Sequence, residues 1–128
     1  MKIWIDEAGN DGSQSVRFSS PAGHATAVWR GGTLPDPGDY DVELEVPIEL
    51  QWGRDLRERE NLAAGIQQTA DGYRLSGRAV DLGSDGVLAI DVGGSILMLD
   101  TTGTPPADIV GRMVELESPV LELYPTNI

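Results

Sequence analysis

The chain contains no cysteine, one histidine and one lysine among its 128 residues. Lack of cysteine excludes disulfides, thiol nucleophiles and cysteine-ligated metal. The single imidazole, His24, cannot supply a zinc ligand set, and no pattern places a serine beside it for nucleophilic catalysis. It reads as a solvated turn residue in Pro21-Ala22-Gly23-His24. Bases are scarce too: nine against 21 acids, for a formal charge of −12. Nucleic-acid binding needs a basic stripe that displaces counterions from phosphate. None is present, so nucleic acid is disfavoured as a partner, and anionic membranes are disfavoured for the same reason. No apolar run approaches the roughly 18 residues that span a bilayer, and Met1–Glu7 lacks the apolar core of a signal peptide. With no cysteines to oxidise, a cytoplasmic location is expected. Aromatic residues are only 5% of the chain. Tyr40 and Trp52 fall on an apolar parity and are expected in the core, whereas Trp29-Arg30, beside Gly31-Gly32, is the pair expected to be exposed.

Against these absences stands one strong pattern. From Tyr40 to Trp52 every even position is apolar: Tyr40, Val42, Leu44, Val46, Ile48, Leu50 and Trp52. The odd positions are Asp41, Glu43, Glu45, Pro47, Glu49 and Gln51. Only an extended strand sends alternate side chains to opposite faces, so the run predicts one long strand with an apolar face and a column of carboxylates. Gly and Pro together make 24 residues (16 and 8), well above the average of roughly 12%, and point to many turns between short elements.

Before this run, Lys2–Asp6, Ser15–Ser20 and Ala25–Arg30 read as strands, with a turn at Asn10-Asp11-Gly12. After it, residues 53–72 read as a loop plus a short strand at Ile66–Thr69, turning at Ala70-Asp71-Gly72. Tyr73–Leu82, Val87–Val92 and Ser95–Asp100 read as a meander. A bulge is expected at Gly77, and a hairpin turn with positive φ at Gly93 and Gly94. Gly111–Tyr124 reads as a last long strand.

That last strand echoes the first. Val42-Glu43-Leu44-Glu45-Val46-Pro47 is matched by Val114-Glu115-Leu116-Glu117-Ser118-Pro119, and Ile48-Glu49-Leu50 by Leu121-Glu122-Leu123, with Val120 as an extra residue. An inserted residue reverses facing unless a bulge absorbs it, so a bulge is expected near Ser118–Val120. The echo records either a duplicated half-domain or two strands meeting one geometric demand; the second is the expectation.

The fold class expected is all-β with little helix, in one domain over 1–128: a small closed barrel or compact sandwich. Residues 40–124 would form the barrel core, and residues 1–32 an N-terminal hairpin region. On Val42–Trp52, the Tyr73–Asp100 meander and Val114–Tyr124, the segment resembles an oligonucleotide/oligosaccharide-binding (OB) barrel in strand number and order. The helix usual between the third and fourth strands of that fold is replaced by Gly93-Gly94.

Carboxylates two apart on a strand lie ~6.6 Å from one another, within a Debye length. Asp41, Glu43, Glu45 and Glu49, with Glu115 and Glu117 expected on the facing strand, therefore form the candidate partner-binding surface, relieved by Arg74 and Arg78. No catalytic set and no cofactor or metal site is expected. Asp6–Gly12 has Ala8 and Asp11 where a calcium loop needs an oxygen ligand and glycine. With 21 acids, a glycosidase-like carboxylate spacing carries no information. The function expected is a non-enzymatic acidic barrel that binds a basic protein, inhibitor- or immunity-like. The alternatives are an OB-like barrel for oligosaccharide or single-stranded nucleic acid, and an enzyme using a carboxylate pair.

Overall fold

A computed structural model describes residues 1–9 and 12–126. Asn10 and Asp11, and with them the expected turn and part of the Asp6–Gly12 segment, lie outside the described residues, as do Asn127 and Ile128. The protein is all-β, and no helix occurs among the described residues.

Five strands close a barrel in the order β1-β2-β3-β12-β4. They are β1 (Lys2–Ala8), β2 (Ser15–Ser20), β3 (Gly23–Trp29), β4 (Gly38–Glu45) and β12 (Glu122–Pro125). The other strands form a second sheet, ordered β5-β10-β9-β8-β11-β6. These are β5 (Leu50–Gln51), β6 (Leu56–Glu58), β8 (Gly72–Leu82), β9 (Val87–Val92), β10 (Ser95–Thr102) and β11 (Met113–Ser118). β7 (Gly65–Thr69) pairs β8 off this path. A parallel bridge between Trp52 and Leu56 nearly joins the ends of the second sheet.

The two long alternating runs are therefore not two single strands. The even-numbered residues do face inward: Val42, Leu44, Val46, Leu50 and Trp52 are buried, and Tyr40 and Ile48 partly so. Yet the chain leaves the closed barrel after Glu45 and enters the second sheet at Leu50. The last run makes the reverse passage, from β11 to β12. At Ser118–Val120 the structure has this crossing rather than a bulge within one strand. The Ser118 hydroxyl donates to the Val120 carbonyl (2.7 Å) and accepts from the Val120 N–H (3.1 Å). The extra residue is absorbed there, and the buried parity shifts from Val114, Leu116 and Ser118 to Leu121 and Leu123. Pro47 and Pro119, which cannot donate to a ladder, each stand in a crossing.

Gly77 is not bulged. The register shift of β8 against β9 falls between Ala79 and Asp81. Gly77 instead admits a close approach, since a Cβ there would lie 2.5 Å from the Asp91 carbonyl oxygen. Gly93 and Gly94 both have positive φ (62° and 95°), as a two-residue hairpin turn of this kind requires.

The echo between the two runs extends over most of the topology. β2 spans residues 15–20 and β9 spans 87–92, 72 positions later. β3 and β10 start at 23 and 95, the same displacement. Each first strand, β1 or β8, is bulged against the next, between Ile5 and Glu7 or between Ala79 and Asp81. Each fourth strand, β4 or β11, returns antiparallel to the first. The crossing segment then lies parallel to the third strand of the opposite half, Leu123 opposite Trp29 and Leu50 opposite Thr101. Two strands meeting one demand would not share all these registers, so the duplicated half is the better description. Each half gives its fifth stave to the other, and a single apolar core runs through both, including Phe18, Trp29, Leu50, Leu75, Ile90 and Leu123.

Candidate functional site

The exchange of staves decides where the candidate acids go. Asp41, Glu43 and Glu45 project from the outer face of β4, and Glu49 lies exposed in the crossing that follows. Glu115 and Glu117 belong to β11 in the other sheet. β4 pairs with β1 and β12, whereas β11 pairs with β8 and β6. The expected juxtaposition of Glu115 and Glu117 with the β4 column does not occur, because β11 closes its own half and not that of β4.

The two groups also differ in their counter-charges. Glu117 is met by Arg74 of β8 at 3.2 Å, as expected of a cross-strand pair. Arg78 does not serve the column: its guanidinium donates to the Gly111 carbonyl at 2.6 Å. Asp41 lies 3.7 Å from both the chain's amino group and Lys2. Among the described residues no ion pair reaches Glu43, Glu45, Glu49 or Glu115. Glu45 moreover stands directly opposite Glu122 of β12, a like-charge placement that destabilises a sheet.

Glu122 is the acid that sequence reasoning missed. It is 4% exposed, and the Arg30 guanidinium holds it in an ion pair while the Tyr124 hydroxyl donates to it at 3.4 Å. Its signal was its place in a run whose parity had just shifted. Tyr124, opposite Glu43, and Trp4, opposite Asp39, are half-exposed. They give the acidic face of β1, β4 and β12 an aromatic margin.

Trp29 is not exposed. It is buried edge-to-face against Tyr40, ring centroids 5.8 Å apart, and its indole N–H donates to the Thr33 carbonyl at 3.1 Å. Trp52 is also buried and donates to the Thr101 hydroxyl at 3.2 Å. His24 stands exposed on β3, opposite Ser19.

Elsewhere, Arg54 and the backbone N–H of Gln51 both donate to the Asp55 carboxylate and hold its pKa below the usual carboxylate value. Burial pushes the Tyr73 phenol above its ordinary value, and its hydroxyl donates to the Thr26 carbonyl. A surface cleft of about 370 Å³ lies beside Glu58, Glu60, Arg78 and Arg112. Arg112 binds Glu58 at 2.7 Å, and that contact raises the guanidinium pKa. Among the described residues no three His, Asp or Glu side chains converge as a metal cage, and no helix is long and apolar enough to cross a membrane. No protein-family model, curated protein or solved structure matches the chain.

Proposed function

We propose that the protein is a non-enzymatic, acidic β-barrel module that docks on a basic protein and acts as an inhibitor or immunity factor against it. One observation carries the reading. Among the described residues Glu43, Glu45 and Glu49 are exposed without counter-ions, and the half-exposed Tyr124 stands opposite Glu43. Carboxylates left unpaired on a rigid sheet make the local potential more negative and steer a cationic partner into encounter. An aromatic side chain at the margin supplies the kind of contact that dominates interface energetics.

The test is capture from cells of the source organism at about 50 and about 500 mM salt, which changes the screening length severalfold. The protein should retain a basic partner at low salt and release it at high salt. A Glu43→Gln, Glu45→Gln, Glu49→Gln variant should not retain it. Absence of any salt-sensitive basic partner would overturn the reading.

A further inference from the structure

In a chain of charge −12, three of the nine bases line one cleft: Arg59, Arg78 and Arg112. The register explains how they meet. Met113 of β11 stands opposite Arg78 of β8. On the other side of β11, Arg59 follows the β6 ladder by one residue, and its N–H donates to the Met113 carbonyl at 3.0 Å. Arg59 and Arg78 thus flank Met113 on adjacent strands, their Cα atoms about 10 Å apart by the ordinary strand spacing. Residues opposite one another in a ladder share a face, so both side chains leave the sheet on the same side.

The walls of the cleft are held by the backbone. On one side the turn before β11 is clasped to β8: the Gly111 N–H donates to the Ala79 carbonyl at 2.7 Å, and the Ala79 N–H to the Arg112 carbonyl at 2.8 Å. On the other side the chain turns away from β6 at Asn61, whose φ of 58° is one that asparagine tolerates. Leu62 and Met113 add apolar surface to the lining. The volume, about 370 Å³, falls within the range of small-molecule sites, roughly 300–1,000 Å³.

The three arginines are not equally committed. Arg112 is paired with Glu58 at 2.7 Å, and Glu60 and Asp108 add their attraction to it. Arg78 donates to the Gly111 carbonyl at 2.6 Å, a bond that fixes the guanidinium without cancelling its charge. Asp91, opposite Arg78 on β9, accepts instead from the Gly94 N–H at 2.8 Å. Among the described residues no ion pair reaches Arg59 or Arg78. Two uncancelled guanidiniums therefore stand at one cleft of a strongly acidic protein, and guanidinium forks match the geometry of carboxylate and phosphate.

We propose that this cleft binds a small molecule through an oxyanion group, carboxylate or phosphate, held by Arg59 and Arg78. Glu60, which also lines the cleft, accepts from a hydroxyl or ammonium group on the same molecule. The occupant is small because the field of the whole chain repels an extended polyanion, whereas a compact anion meets mainly the arginines around it. The site is separate from the acidic face of β4 and stands whether or not that face docks a partner.

The probes are inorganic phosphate and malonate, each titrated into the intact, isotope-labelled protein, with sodium chloride at matched ionic strength as the reference. Saturable shifts should appear at the amides of Arg59, Asn61, Arg78 and Arg112 with one probe or both. The tighter probe gives the source of the oxyanion, a phosphorylated or a carboxylic small molecule. Arg59→Gln should weaken binding about tenfold, the loss of one hydrogen bond to a charged group. That side chain holds no partner in the fold among the described residues, so the variant folds. Arg17→Gln, in the first half, should leave binding unchanged. Absence of saturable shifts with both probes, equal shifts with chloride, or equal losses in Arg59→Gln and Arg17→Gln would each overturn the site. A single-stranded oligonucleotide that binds there more tightly than either probe would overturn the small-molecule occupant.

Discussion

Glu122 and Glu49 hold matching places in two nearly identical stretches of sequence, yet one is buried and the other exposed. The difference is made by Arg30, 92 residues away in the chain, which closes over Glu122. No local pattern could reveal it, because the signal lies in which strands become neighbours. Arg30→Ala should cost about 1–3 kcal/mol, the penalty for leaving a buried polar group without its partner; Glu122→Gln should cost less. Urea melts of the two variants check this. Asp55 offers a pH test. Its folded-state pKa lies below the unfolded value, with hydrogen bonds from Arg54 as the first cause and from Gln51 as the second. The stability it contributes is therefore fully present above the unfolded pKa of about 3.9. It is lost as pH falls through the lower folded value. The melting temperatures of wild type and Asp55→Asn should differ at pH 7 and converge towards pH 2.

At the scale of elements, the hairpins were legible and the crossings were not. Ser15–Ser20 and Val87–Val92 match β2 and β9 residue for residue, because turn-forming residues flank them in the sequence and turn chemistry is local. The short strand expected at Ile66–Thr69 also lies within one residue of β7. The long runs kept their alternation across Val46–Glu49, so inward facing was correct while sheet membership was hidden. A period of two reports which face a side chain occupies and nothing about which sheet it faces from. The same limit misplaced Glu115 and Glu117 and left Glu45 opposite Glu122 unforeseen. That pair yields a prediction: Glu45→Arg, which replaces repulsion by attraction, should stabilise the protein by about 0.5 kcal/mol. Added salt should raise the melting temperature of the wild type more than that of the variant. If the docking reading holds, the same substitution weakens partner capture, a trade of stability against function.

For the whole molecule, all-β closure with very little helix was legible from composition and turn density, and the reciprocal exchange of fifth staves was not. Leu121 and Leu123 come from the end of the chain and are fully buried with Ile5 and Phe18 in one core. Leu50 likewise fills the second half. Neither half can complete its ring alone. Calorimetric and optical melts should therefore coincide in a single transition. Separate fragments 1–64 and 65–128 should each lack cooperative melting, and should regain it when mixed. Leu123→Ala should lower that one transition by about 2–5 kcal/mol without splitting it.

The exchange also bears on how the protein is made. β12 sits between β3 and β4, and it leaves the ribosome after the other eleven strands. Until residues 122–125 emerge, the amino-terminal barrel is a nascent ring with a missing segment, its two flanking edges exposed to any neighbouring strand. Stability of the amino-terminal barrel therefore arrives with β12 rather than stepwise along the strands before it. A ribosome stalled before β12 should carry an amino-terminal half that proteases cut freely.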